Sequence, residues 1–115
     1  MAARIVISEF MAQEAVALLR GRHDVLYDAT LVDDPPRLLR EAAGCDALIV
    51  RNRTQVRGAL AAALGRCKVV GRLGVGLDNI DVAACDAAGI AVIPASGANA
   101  LSVAEYVIAL SLIHI

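Results

Sequence analysis

The chain has 115 residues and a formal net charge of −1; 58% of its residues are hydrophobic and only 3% are aromatic. This length allows one domain, whose core must be built from Val, Ile, Leu and Ala. A charge so close to zero disfavours nucleic acid or an anionic membrane surface as the main partner. Arginine supplies nearly all of the basic residues, and Lys68 is the one lysine.

Cysteine usage indicates a reducing compartment. Cys45, Cys67 and Cys85 lie too far apart for a CxxC or zinc pattern, so no metal site is predicted. Their odd number, without a signal peptide, predicts reduced thiols buried in the core of a cytoplasmic protein. The most apolar run, Val103 to Ile115, is shorter than the roughly 20 residues that a membrane span needs.

Five apolar segments alternate with helical patterns along the chain. Strands are predicted at Arg4–Ile7, His23–Tyr27, Ala47–Val50, Lys68–Arg72 and Ile90–Ile93. Helices are predicted from Met11 to Arg20, from Asp33–Pro36 to Ala43, from Val56 to Leu64 and from Asp81 to Ala88. The second begins with an acidic cap followed by prolines, and the fourth begins at the Asp81 cap. Gly44, Gly65 and Gly89 end the second, third and fourth helices. Continuous apolar strands with short, right-handed crossovers predict a flavodoxin-like doubly wound α/β domain with a five-stranded parallel sheet.

The last segment differs from the others. Ser102-Val103-Ala104-Glu105 fits a capping box that begins a helix from Val103 to Ile115. This helix is apolar nearly all round and must be buried on most faces, which one small domain cannot provide. We therefore expect a domain at residues 1–98 and the start of an interdomain helix at residues 99–115, with a further part of the protein following Ile115.

The first candidate site is Arg51-Asn52-Arg53-Thr54, directly after the third predicted strand. Parallel strands place their following loops at one sheet edge, where open α/β folds bind ligands. A guanidinium holds a carboxylate with two parallel hydrogen bonds, so these arginines are candidate substrate anchors. A solvated loop with surface ion pairs is the alternative.

The second candidate site is Gly74-Val75-Gly76, after the fourth predicted strand. Its glycines allow positive φ and close approach, so successive amides can form an anion-binding nest; a plain βα turn is the alternative. It is not a dinucleotide fingerprint, because Asn79 stands where the third glycine belongs and no helix opens directly from the loop.

Two further segments complete the predicted crevice. Pro94–Asn99 follows the fifth strand, and Asn99 is either a ligand contact or a turn residue. Ser8-Glu9-Phe10 follows the first strand and forms part of the rim. Neither His23 nor His114 is expected there, and both are predicted to be ordinary surface or helix-end residues.

Three segments, read together, resemble one enzyme family. They are ALIVRNRT (47–54), VVGRLGVGLDNIDVAAC (69–85) and GANALSVAEYVIAL (97–110). The chain resembles the N-terminal substrate domain of the D-isomer-specific 2-hydroxyacid dehydrogenases, near the phosphoglycerate dehydrogenase branch, and its Arg51–Thr54 segment also resembles the sulfolactate dehydrogenase-like members.

The resemblance implies a role for several residues. Gly74, Val75 and Gly76 would hold the substrate carboxylate with backbone amides. Arg51, Asn52 and Asn99 would line the substrate side of the cleft, and Val103 would border the nicotinamide. The family's catalytic Arg, Glu and His and its GxGxxG loop have no counterpart here, so NAD or NADP binding, catalysis and homodimer formation are expected only of a longer enzyme.

Two other hypotheses remain open. The chain could be a stand-alone flavodoxin-like domain that binds a small carboxylate, which predicts a monomer whose last helix packs on its own sheet. It could instead be a truncated paralogue that docks on a full-length dehydrogenase through Val103–Ile115. An exposed apolar helix would favour this second hypothesis.

Overall fold

The computed structural model describes residues 2–95 and 100–114, with side chains described as far as Leu110. Five strands form one parallel sheet: β1 (Arg4–Ile7), β2 (Asp24–Tyr27), β3 (Ala47–Val50), β4 (Val69–Arg72) and β5 (Ala91–Pro94). Their order, β2-β1-β3-β4-β5, is that of flavodoxin-like folds, so the predicted fold class is confirmed.

Helices cover both faces of this sheet. They are α1 (Gln13–Arg20), α2 (Pro35–Ala43), α3 (Gly58–Ala63), α4 (Val82–Ala87) and α5 (Ala100–His114), and a short 3-10 helix spans Leu31–Asp33. Residues of α1 and α5 pack over Ile5, Ile7 and Ile49 on one face, while α2, α3 and α4 pack over Val6, Leu48 and Val70 on the other. Every residue of β3 is fully buried, as expected for a strand covered on both sides.

Helix starts differ from prediction where the chain makes other contacts. Helix α3 begins at Gly58 rather than Val56, because Val56 pairs with Ile80 in an isolated parallel bridge. Helix α1 begins two residues after the predicted Met11. The predicted caps of α2 and α4 are present: Asp34 accepts from Arg37 N at 3.3 Å, and Asp81 accepts from Ala84 N at 3.0 Å.

Two predicted helix ends are also adjusted. Gly44 follows α2 with a φ of −102°, so it does not use the left-handed conformation of a C′ glycine. Leu64, not Gly65, directly follows α3. Gly89 ends the α4 region with a φ of +75°, as a terminal glycine is expected to do.

The capping box predicted at the start of the last helix is wrong. Helix α5 already includes Ala100 and Leu101, so Ser102 lies within the helix and cannot be its N-cap. Val103 and Val107 are buried against the rest of the domain, whereas Tyr106 is 57% exposed. In the part of the chain that the structure describes, no helix combines the length and apolar character that crossing a membrane requires.

The amino ends of the strands form the edge opposite the predicted crevice. Here Asp46 Oδ2 accepts from Arg4 N at 2.8 Å, and Lys68 N donates to Asp46 O at 2.8 Å. The Lys68 side chain is exposed. The three cysteines are buried and free, as predicted.

Candidate functional site

The loops after β1, β3 and β4 meet at the carboxyl edge of the sheet. The sheet hydrogen bonds continue into them, from Ser8 N to Ile49 O at 3.1 Å and from Leu73 N to Val50 O at 2.8 Å. The structure therefore brings together the Arg loop (residues 51–54), the Gly loop (residues 74–76) and the predicted rim. Asn99, predicted for the same crevice, lies outside the described residues.

The Arg loop is organised by a buried carboxylate. Glu9 is 4% exposed; its Oε2 accepts from Arg51 N at 2.8 Å and Thr54 N at 2.9 Å, and its Oε1 accepts from Arg53 N at 3.1 Å. Burial by itself raises the pKa of the Glu9 carboxyl, but the hydrogen bonds from this loop outweigh burial and hold the pKa below its ordinary value. Glu9 is therefore ionised at neutral pH.

The carbonyl groups of the Arg loop are held by Asn79. Its Nδ2 donates to Arg51 O at 2.8 Å and to Thr54 O at 2.9 Å. Its Oδ1 accepts from Arg72 Nε at 3.3 Å. The residue that breaks the dinucleotide pattern thus connects two loops of the crevice.

The Gly loop is shaped around the Arg72 guanidinium. Arg72 Nη1 donates to Leu73 O at 2.7 Å, and the φ of Gly74 is +138°, where a Cβ would collide with that guanidinium. Gly74 therefore has to be glycine. Gly76 does not use positive φ, so only one of the two glycines has the conformation that the sequence allowed for both.

A cavity of about 270 Å³ opens between the two loops. Its walls are formed by Asn52, Gln55, Arg72, Gly76, Asp78 and Asn79. The volume suits a molecule smaller than a drug-sized ligand. Asn79 and Gln55 already donate to carbonyl groups of the Arg loop, so the donors left for a small carboxylate are the Arg72 guanidinium, the Asn52 amide and the bare glycine backbone. The Asp78 carboxylate in the same wall opposes an anion.

Other predicted residues take different places around the crevice. Arg51 Nη1 donates to Phe10 O at 3.4 Å at the rim, and Val75 is 67% exposed; neither residue lines the cavity. The Arg53 side chain forms an ion pair with Asp33 on the surface, where both groups are more than half exposed. For Arg53 this agrees with the alternative of a solvated loop with surface ion pairs. Val103 is 1% exposed and packs against Gly71 of β4.

Four residues of the cavity wall were not predicted as site residues from the sequence: Gln55, Arg72, Asp78 and Asn79. Arg72 was assigned to a strand, although its place as the last strand residue before the Gly loop could have indicated a role at the edge. Asn79 was considered only as a missing glycine. Its amide can both donate and accept, which suits it to link two loops.

The described residues do not fit a dinucleotide or a metal ion. Helix α4 begins at Val82, well after the Gly loop, so this loop does not lead directly into a helix N-terminus as a pyrophosphate-binding loop does. Among the described residues, no three His, Cys, Asp or Glu side chains are grouped to hold a metal.

Known proteins resemble this chain in sequence and in fold. Residues 5–109 match the family model of the D-isomer specific 2-hydroxyacid dehydrogenase catalytic domain. The (S)-sulfolactate dehydrogenase of Chromohalobacter salexigens is 59% identical over 104 residues, covering 90% of this chain and 34% of that enzyme. D-3-phosphoglycerate dehydrogenase 2 of Arabidopsis thaliana is 44% identical over 110 residues, covering 93% of this chain and 17% of that enzyme.

Solved structures agree with these matches. The NAD+-bound 3-phosphoglycerate dehydrogenase of Entamoeba histolytica superimposes with a TM-score of 0.70 at 25% identity, covering 82% of this chain and 33% of that one. A phosphoglycerate oxidoreductase of Vibrio cholerae superimposes with a TM-score of 0.68 at 25% identity, covering 84% of this chain and 32% of that one. The chain thus spans about a third or less of these relatives. The family model and the curated relatives together show that the chain belongs to the D-isomer specific 2-hydroxyacid dehydrogenase family.

Proposed function

We propose that the chain supplies the substrate-binding part of an NAD(P)-dependent dehydrogenase that acts on the CH–OH group of small D-2-hydroxy acids. Residues 1–98 would form the substrate domain, and residues 99–115 the start of an interdomain helix. The observation that carries this proposal is the cavity that Arg72 and Asn52 line together with Gly76 of the Gly loop. The sulfolactate and phosphoglycerate dehydrogenase relatives favour a substrate with a second anionic group.

Each part of the crevice has a proposed role. Backbone amides of the Gly loop would hold the substrate carboxylate, since bare glycine backbone allows close approach. Arg51, Asn52 and Asn99 would line the substrate side, and Arg72 would balance the charge of the second anionic group. Val103 would border the nicotinamide in the longer enzyme.

The chain alone is proposed to be inactive. Hydride transfer needs a nicotinamide against the substrate carbon and a base within reach. In the described part of the crevice, Glu9 is buried and engaged by three amides, and His23 lies at the opposite edge of the sheet. Cofactor, base and homodimer contacts would come from the rest of a cytoplasmic enzyme.

Ligand binding by the chain tests the proposal. Titration of ¹⁵N-labelled protein with (S)-sulfolactate and with 3-phosphoglycerate is expected to shift the amide signals of the Gly loop and of Asn52. Gly74→Ala forces an unfavourable φ and displaces Arg72, so it is expected to weaken binding about tenfold or more.

Gly89→Ala is the matched control. Gly89 also has positive φ, at +75°, but it lies away from the crevice and a Cβ there meets nothing within 4 Å. This variant should lose stability and keep its affinity. Absence of saturable shifts with both acids, or equal loss of affinity in the two variants, would contradict the proposed site.

An assay of the chain with NAD, NADP and the same acids tests inactivity. We expect no change in absorbance of the reduced nicotinamide above the protein-free blank. Turnover that follows the protein through purification would show that the chain contains a cofactor site and a base.

A further inference from the structure

Most of the buried polar side chains in the described part of the chain lie in one place. The buried polar or charged residues there are Ser8, Glu9, His23, Thr54 and Asn79, and all but His23 lie in the Arg loop or contact it. Burying such groups costs free energy unless they are hydrogen-bonded. The cluster meets this condition: Ser8 Oγ and Thr54 Oγ1 are 2.9 Å apart, and Glu9 and Asn79 bond to the loop backbone.

Glu9 and Asn79 hold opposite sides of the loop backbone. The carboxylate of Glu9 accepts from three loop amides, and the amide group of Asn79 donates to two loop carbonyls. A carboxylate offers only acceptors and an NH₂ group only donors, so neither side chain can take the other's place. The loop is therefore fixed by partners that lie outside it.

A continuous set of hydrogen bonds joins this loop to Leu73, the residue before the Gly loop. It runs from Glu9 through the Arg loop to Asn79, from Asn79 to the Arg72 guanidinium, and from that guanidinium to Leu73 O, with Gly74 lying directly against the guanidinium. Asn52 belongs to the Arg loop and lines the same cavity as Gly76 of the Gly loop. The width of the cavity thus depends on contacts that begin at Glu9, which is not one of its lining residues.

We infer that Glu9 is a positioning residue for substrate binding: its carboxylate fixes the Arg loop so that Asn52 stands at the correct distance from the Gly loop. The effect on binding rests on the proposed function, whereas the effect on the loop does not. An error of about 1 Å in the position of a binding group is enough to reduce function strongly.

Glu9→Gln tests the inference with little change in shape. In the variant, an NH₂ group replaces one of the two carboxylate oxygens that accept from the backbone N–H groups of the loop in the wild type. At least one of Arg51, Arg53 and Thr54 therefore loses its acceptor. Hydrogen exchange at that amide is expected to accelerate about tenfold or more, and the affinity for (S)-sulfolactate to fall about tenfold.

Asp46→Asn is the matched control. Asp46 also accepts a backbone hydrogen bond, from Arg4 N at 2.8 Å, but at the opposite edge of the sheet. We expect it to lower the free energy of unfolding by an amount similar to Glu9→Gln, with no change in exchange at the Arg loop and less than about twofold change in affinity.

A measurement on the wild-type chain keeps the test independent of folding in the variants. In an acid titration followed by NMR, the Glu9 carboxyl carbon and the amides of Arg51, Arg53 and Thr54 are expected to share one midpoint, lower than that of an ordinary Glu. Separate midpoints would overturn the inference even where Glu9→Gln does not fold.

The outcomes separate the two proposals. If the wild-type chain does not bind (S)-sulfolactate, the proposed function fails, and the exchange rates and the acid titration still decide whether Glu9 fixes the loop. If Glu9→Gln loosens the loop without changing the affinity, or changes neither, the inference is overturned while the proposed function stands.

Discussion

At the amino edge of the sheet, the His23 ring is 7% exposed, and its Nδ1 accepts from Ala3 N at 2.9 Å. The ring is therefore neutral, with its proton on Nε2, which is the one buried side-chain N or O atom without a partner in the described part of the chain. Burial, then the positive N-terminus and Arg22, lower the pKa of His23, and Asp46 only partly opposes them.

This histidine should make the stability of the chain depend on pH. Its pKa in the fold lies below the ordinary value of 6.5, so below that pH the unfolded chain binds a proton that the folded chain excludes. The contribution of His23 to the free energy of unfolding is therefore expected to be constant above pH 6.5 and to fall as the pH decreases from 6.5 toward the pKa of His23 in the fold. Urea unfolding at about pH 8 and about pH 5 measures the difference in the free energy of unfolding between the two pH values.

Substitution of each histidine identifies the source of this pH dependence. His23→Gln keeps an acceptor for Ala3 N without a titrating group, so its stability should change less over the same interval. His114→Gln, at the other histidine, should behave like the wild type. If all three proteins lose stability equally, another group is responsible.

At the scale of elements, a glycine in β4 determines how closely α5 approaches the sheet. A Cβ added at Gly71 would lie 2.8 Å from Val103 Cγ1 and 3.5 Å from Val107 Cγ2. Gly71→Ala should therefore lower the free energy of unfolding by about 1–3 kcal/mol, the usual cost of overpacking a core.

Two variants check that overpacking is the cause. Val103→Ala removes the colliding methyl groups and should partly restore the stability of Gly71→Ala. Gly44→Ala, where φ is −102° and a Cβ meets nothing within 4 Å, should leave stability unchanged or slightly raise it. Chemical denaturation that finds Gly71→Ala as stable as the wild type would contradict this account of the packing.

The elements also show how far the sequence leads. All five strands were predicted to within one residue at each end, because Val- and Ile-rich runs are a direct signal of buried parallel strands. The start of α3 was misplaced, because Val56 is committed to a pairing with Ile80 that is distant in sequence. Local patterns do not encode such partners.

The same limit applies to the crevice. Its location followed from the rule that parallel strands place their loops at one edge, and the Arg and Gly loops were both predicted. The direction of individual side chains depends on three-dimensional neighbours: Arg53 turns to Asp33, and Arg72 turns beneath the Gly loop. For this reason the positioning role inferred for Glu9 required the structure.

For the whole molecule, the sheet order predicts a gradient of local stability. Strand β3 lies between β1 and β4 and is fully buried, whereas β2 is an edge strand with only partly buried or exposed residues. Amides of β3 are expected to exchange hydrogen only through global unfolding, and those of β2 through smaller openings. Native-state exchange at increasing urea concentration measures both, and equal protection of the two strands would contradict this gradient.

The exposed Lys68 lies at the edge of the sheet opposite the crevice, and it is the only lysine of the chain. An amine-reactive linker coupled at this side chain would leave the Arg and Gly loops unmodified, because their basic groups are guanidinium groups that such reagents spare. The α-amino group of the chain is the other amine that such reagents modify, and β1 begins at this same edge of the sheet. Attachment through these amines would present the crevice to the solution, which suits biosensor measurements of ligand affinity.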